Sequence, residues 1–215
     1  FGCVSAGEGV HTVLSDLGCD EIVQGGQTMN PSTEDILRAI DRTPAEIVYV
    51  FPNNKNIIMA AEQAAALCTD KQVIVMSSSN IPQGISALLA FDPEAEVNEN
   101  TPAMQTAMEG VRAGQITYAA RNSEFDGKKI KEGEYLALCD GKLTANSKRP
   151  HEVLKKLIRE LVSPESAFAT IIFGEGIDEE DAAKVEELFR KENRDLEITV
   201  INGGQPVYYY ILSVE

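Results

Sequence analysis

Three short polar segments carry the residues of this sequence best suited to binding. Gly25-Gly26-Gln27-Thr28-Met29-Asn30-Pro31-Ser32-Thr33-Glu34-Asp35, Pro52-Asn53-Asn54-Lys55-Asn56 and Ser77-Ser78-Ser79-Asn80 each follow an apolar run. In the first, paired glycines let backbone N–H groups approach a ligand, Pro31 suits the first turn of a helix, and Ser32 with Asp35 fits the S-x-x-D form of the capping box. A strand-to-helix turn of this kind suits an anion. Hydroxyls come from Thr28, Ser32, Thr33, Ser77, Ser78 and Ser79, amides from Asn53, Asn54, Asn56 and Asn80, and a positive charge from Lys55. Such donors suit a carboxylate, a phosphate or an acidic side chain, and do not suit acid-base catalysis. The same Asn and Ser residues also serve as helix caps, and Lys55 can simply face water.

The candidate binding set is therefore Gly25, Gly26, Gln27, Thr28, Asn30, Ser32, Asn53, Asn54, Lys55, Ser77, Ser78 and Ser79, with no catalytic residue among them. None of these segments has the G-x-x-x-x-G-K-[ST] spacing of a P-loop, which disfavours nucleotide binding within the chain. His11 and His151 lie far apart, and although Glu8 precedes His11 by one helical turn, no further histidine or cysteine completes a metal-ligand set. A hydrolytic triad is likewise unsupported. Cys3, Cys19, Cys68 and Cys139 form no C-x-x-C pair and read as reduced, mostly buried thiols of a cytoplasmic protein. Arg112 and Arg121 with Tyr118 offer a second contact patch, a pattern that a helix C-terminus followed by a half-buried strand explains equally well.

The elements that must position these residues alternate strand and helix through the first ninety or so positions, which predicts a parallel α/β sheet. Strands are expected at 3–5, 21–23, 46–51 and 73–76, and helices at 8–17, 32–40, 54–67 and 82–91. All turns that leave parallel strands lie on one edge of the sheet, so the three polar segments converge on one crevice. A helix follows at 98–112, with Met104, Ala107, Met108 and Val111 on one face. Short strands come next at 116–120, 135–139 and 143–145, punctuated by the hairpin signals Asp126-Gly127 and Asp140-Gly141.

An amphipathic helix at 149–161 and a closing βαβ unit at 168–173, 178–193 and 197–201 complete the pattern, with a last strand at 207–214. Gly25-Gly26-Gln27 recurs as Gly203-Gly204-Gln205, each after an expected strand, although the second leads into a strand and not a helix. The expected fold is α/β in two lobes: residues 1–92 as a parallel sheet with flanking helices, and 93–215 as α/β with inserted hairpins.

With 215 residues and 43% hydrophobic content, the chain can bury a substantial core. No apolar run approaches the roughly 20 residues of a membrane span, and no signal peptide is evident. Phe1 opens on what reads as a strand already under way, so the sequence is expected to be a piece of a longer chain. The net charge of −15 argues against nucleic acid or an anionic membrane as partner.

The first segment above, together with Pro52-Asn53-Asn54-Lys55-Asn56-Ile57-Ile58-Met59-Ala60-Ala61 and Ile81-Pro82-Gln83-Gly84, resembles the C-terminal domain of the ATP-binding subunit of bacterial fatty acid kinase. That family is also described as dihydroxyacetone-kinase-like or Dak phosphatase. Gly114-Gln115-Ile116-Thr117-Tyr118-Ala119 and Asn202-Gly203-Gly204-Gln205-Pro206-Val207-Tyr208 fit as well, so the resemblance covers essentially the whole chain. It implies a fold shared with DegV-type fatty-acid-binding proteins, dihydroxyacetone kinase and mannose-transporter EIIA domains. It implies that ATP and magnesium belong to an upstream domain and that no cofactor is held here. The domain would then engage the DegV-type acyl-carrier subunit, so that a fatty acid carboxylate can be phosphorylated. In DegV proteins the equivalent of the 28–32 turn helps bind the fatty acid head group. Dihydroxyacetone kinases hold substrate through a histidine, and none of the three polar segments contains one. Two alternatives stand beside docking: direct binding of a small carboxylate or phosphate, and a phosphatase activity suggested only by the family label. A homodimer is compatible with either.

Overall fold

The computed structural model describes residues 1–26, 30–125 and 127–215. They form two units, Phe1–Gly110 and Val111–Glu215. In the first, β1 (Gly2–Ser5), α1 (Glu8–Asp16), β2 (Glu21–Gln24), α2 (Thr33–Arg42), β3 (Ile47–Phe51), α3 (Lys55–Leu67) and β4 (Gln72–Val75) alternate as expected, followed by α4 (Ile81–Leu89) and α5 (Val97–Gly110). The four strands pair in parallel in the order β2-β1-β3-β4. The chain thus steps from β1 to one side, crosses to β3 on the other, and continues outward to β4. Right-handed crossovers then put α1 on the face opposite α2 and α3.

Val4, Val48 and Val50 pack there with Ile36, Ile40, Ile57, Ala61 and Ala64. The alanines let α3 approach the sheet closely, and their high helix propensity favours the element itself. The expected boundary at residue 92 moves to 110, because α5 belongs to the first unit. Ser86 Oγ donates to the Ala107 carbonyl at 3.3 Å, Gln83 Nε2 to the Met108 carbonyl at 3.4 Å, and Tyr49 meets Thr101 at 3.1 Å.

The second unit holds β5 (Arg112–Tyr118), the hairpin β6 (Ser123–Phe125) and β7 (Lys128–Ile130), β8 (Tyr135–Cys139), β9 (Lys142–Ser147), α6 (Pro150–Leu161), β10 (Phe168–Phe173), α7 (Glu179–Glu192), β11 (Glu197–Asn202) and β12 (Tyr210–Val214). Its six-stranded sheet runs β11-β10-β12-β5-β8-β9, with β10 and β11 parallel and the other pairs antiparallel. The core lies beneath α6 and α7, whose Val153, Leu157, Ile158, Leu161, Val185 and Phe189 meet Ile171, Leu212 and Val214 of the sheet.

Asp140 and Gly141 both have positive φ, 47° and 80°, as a tight hairpin between β8 and β9 requires. Of the other hairpin signal, Asp126 lies outside the described residues. Two boundaries differ from expectation. Arg112 opens β5 and does not close the preceding helix. The last strand starts at Tyr210 and not at 207, since Val207 sits at φ 73°, which a strand cannot include. No described helix is long and apolar enough to cross a membrane.

Candidate functional site

Parallel pairing places the C-terminal ends of all four strands of the first sheet on one edge, with Ser5 in register with Gln24 and Cys3 with Phe51. The direction of winding reverses between β1 and β3, the position where open α/β sheets form a ligand crevice. Asn53 stands there. Its backbone is left-handed at φ 53°, a conformation Asn tolerates better than most residues, and its side chain is buried. Asn53 N donates to Ser78 Oγ at 3.0 Å, and its Nδ2 donates to the Val4 carbonyl at 3.1 Å. One residue therefore ties the ends of β1, β3 and β4. Gly84 has no side chain because a Cβ would strike the Asn53 amide.

Most of the remaining candidates hold the loops. Ser32 caps α2, accepting from Asp35 N at 3.1 Å, while Asp35 Oδ2 accepts from Ser32 N at 3.0 Å and Ser32 Oγ at 2.7 Å. The Ser32 hydroxyl and amide, with Arg38 adding to them, hold the Asp35 carboxyl below its usual range. Asn54 caps α3 by accepting from Asn56 N at 2.9 Å, and Asn80 caps α4 by accepting from Gln83 N at 3.0 Å. Gln83 Oε1 in turn accepts from Ser79 N and Ser79 Oγ. Gly25 N donates to the Ser5 carbonyl at 3.0 Å, seating the glycine turn beside β1, and Gly26 follows it. Asn30, Lys55 and Ser77 are exposed, and Lys55 makes no ion pair with any described residue. Gln27 and Thr28 lie outside the described residues.

Two further participants are not evident from the sequence pattern. Ser5 ends β1 with its hydroxyl buried and unpartnered, as is Asn53 Oδ1. His11, one turn into α1, brings Nε2 to 3.2 Å from the Ser5 carbonyl; a carbonyl only accepts, so Nε2 carries the proton. The usable signal is the short connection, because a helix starting directly after β1 must return its first turns to that strand's end. The patch expected at Arg112 dissolves. Its guanidinium donates to the Glu160 and Leu161 carbonyls at 2.6 and 3.2 Å, closing the C-terminus of α6.

The Gly-Gly-Gln echo has a structural counterpart. Gly203 N donates to the Phe173 carbonyl at 2.9 Å, just as Gly25 N does to Ser5, and Gln205 Nε2 reaches the Ile172 and Tyr208 carbonyls. Among the described residues, Asp41, Cys68 and Asp70 bring ligand atoms within 4.8 Å of one another. They lie at the opposite edge of the sheet, and a thiol with two carboxylates does not fit the octahedral oxygen shell of magnesium.

A parallel sheet with a polar switch-point edge, joined to a mixed sheet in a second unit, defines the DegV and dihydroxyacetone kinase class of α/β fold. Solved structures of that class align closely. They include the DegV family protein Cg2579 of Corynebacterium glutamicum (TM-score 0.67, 17% identity, 99% of this chain and 94% of that one). The Streptococcus pneumoniae Fatty Acid Kinase B3 protein loaded with linoleic acid (0.62, 14%, 86% and 76%) and the dihydroxyacetone kinase of C. freundii (0.63, 14%, 99% and 47%) align as well. The chain belongs to the FakA-like C-terminal family of fatty acid kinases, whose model matches residues 2–215. Protein YloV of Bacillus subtilis (strain 168) is 39% identical and protein SH1689 of Staphylococcus haemolyticus 37% identical, each over 99% of this chain. The chain spans 38% of the length of these relatives.

Proposed function

We propose that this domain docks the DegV-type acyl carrier of a fatty acid kinase, so that the carrier's fatty acid carboxylate is presented to ATP and magnesium held elsewhere in the kinase. The observation that carries this reading is the division of labour along the switch-point edge. Ser32, Asn53, Asn54, Ser78 and Ser79 are committed to fixing the loops, while Asn30, Lys55 and Ser77 face outward. A rigid edge with hydrogen-bonding groups and an unpaired ammonium recognises an acceptor-rich surface and supplies no nucleophile. Family membership and the fold shared with the linoleic-acid-loaded B3 protein support it. A cytoplasmic setting follows from the same reading.

Calorimetric titration of the chain with a DegV-type carrier loaded with linoleic acid tests it. A saturable complex weakened about tenfold or more by Lys55→Glu combined with Ser77→Asp is expected from like-charge juxtaposition at an interface. No association, or association indifferent to both changes, contradicts it. The second reading, direct capture of a small anion, is favoured by the unpartnered Ser5 hydroxyl. It requires that inorganic phosphate or acetate raise the melting temperature of the parent chain and not of Ser5→Ala.

A further inference from the structure

The second unit contains a cavity of about 450 Å³, within the range of ordinary small-molecule pockets. Its origin lies in how the two helices cover the sheet. α6 lies over β5, β8 and β9, and α7 over β10 and β11, which leaves β12 beneath the seam between them. Arg159 Nε holds Glu192 at 3.0 Å and ties the C-terminal ends of the helices. At their N-terminal ends, the space between Leu154 of α6, Val185 and Leu188 of α7, and Ile116 of β5 is left unfilled.

The walls are apolar, but one polar group points in. Tyr210 is only 4% exposed, shares its sheet face with Leu212 and Val214, and lines the cavity, yet its hydroxyl bonds to no described residue. A buried phenol lacking a partner is costly unless a ligand or water supplies one. Burial, followed by the charges of Asp181 and Asp178, raises its titration well above the ordinary phenol range, so the hydroxyl remains a donor. Tyr209 stacks against Tyr135 with ring centroids 5.5 Å apart and completes an aromatic wall.

Charge at the mouth decides the class of ligand. The first turn of α7 presents Glu179, Glu180 and Asp181 behind the cap Asp178. Lys184 is already paired with Asp181 at 2.8 Å and Glu180 at 3.3 Å, and Arg149 is paired with Glu152 at 2.8 Å. A carboxylate entering here would lose hydration while facing an excess of acids, whereas a neutral oxygen can accept from Tyr210 without that cost. We infer that this cavity binds an uncharged amphiphile, an aliphatic alcohol, ester or amide, with its chain among Leu154, Val185 and Leu188 and its oxygen on the Tyr210 hydroxyl. This site lies in the second unit and does not depend on the docking reading of the first.

The test uses the intrinsic emission of a chain with six tyrosines and no tryptophan, three of those tyrosines lining the cavity. Titration with 1-decanol at pH 8 is expected to give a saturable change in tyrosine fluorescence, and decanoate is expected to bind at least about tenfold more weakly. Tyr210→Phe, which keeps the shape of the cavity, weakens 1-decanol roughly three- to tenfold, the loss of one hydrogen bond. Leu154→Trp fills the space and abolishes binding; if it fails to fold, Tyr210→Phe decides. Absence of saturation, equal binding of decanoate, or unaltered affinity in Tyr210→Phe overturns the inference.

Discussion

At the end of β3, Asn53 combines a left-handed backbone with a side-chain bond to the Val4 carbonyl and a main-chain bond to Ser78 Oγ. Alanine at this position loses the first bond and occupies the left-handed region less comfortably. Asn53→Ala is expected to destabilise the chain by roughly 1–2 kcal/mol in urea unfolding. An unchanged midpoint would show that Asn53 does not tie the strand ends. The polar character of this residue is readable from the sequence, but its burial is not. An Asn before Asn-Lys at a helix start looks like a cap, and in fact Asn54 is the cap while Asn53 turns inward. Ser5 and His11 are hidden for a related reason. Their importance comes from lying beside residues that are distant in sequence, and hydrophobic periodicity does not register such neighbours.

Among the elements, α6 packs on β5 at Gly114, and the lack of a side chain there is what permits it. A Cβ on Gly114 would lie 2.8 Å from Leu161 Cδ1 and 2.9 Å from both Leu157 methyl groups, and both leucines are fully buried. Gly110, the last residue of α5, would meet nothing within 4 Å. The two substitutions should therefore differ in sign. Gly114→Ala is expected to cost about 1–3 kcal/mol by overpacking, and Gly110→Ala to gain about 0.4–1 kcal/mol through lower unfolded-state entropy. Equal effects in thermal unfolding would contradict this packing.

Both α/β patterns and nearly every helix are legible, because their apolar residues recur at helical or strand spacing and their starts carry Ser32, Asn54, Asn80 and Asp178 caps. Arg112 reads as helical because Val111-Arg112-Ala113 continues the preceding apolar spacing without a break. Only the pairing of β5 with β12 and β8 draws it into a strand.

Across the whole molecule, the net charge of −15 and the family assignment set the terms of recognition. An acidic domain meets an acyl-carrying partner best through a local edge where hydrogen-bond donors and an unpaired lysine outweigh the general field. The division into units at Gly110 gives this edge to the first unit and the apolar cavity to the second. Recognition at the edge and ligand binding in the cavity are thus separately measurable.

The most direct measurement is amide hydrogen exchange of the chain, alone and saturated with a linoleic-acid-loaded DegV-type carrier. Exchange is expected to slow at residues 25–26, 53–56 and 77–80, with β11 and α7 unchanged. Protection confined to the second unit, or none at the first sheet's switch-point edge, would contradict the assignment of that edge as the docking surface.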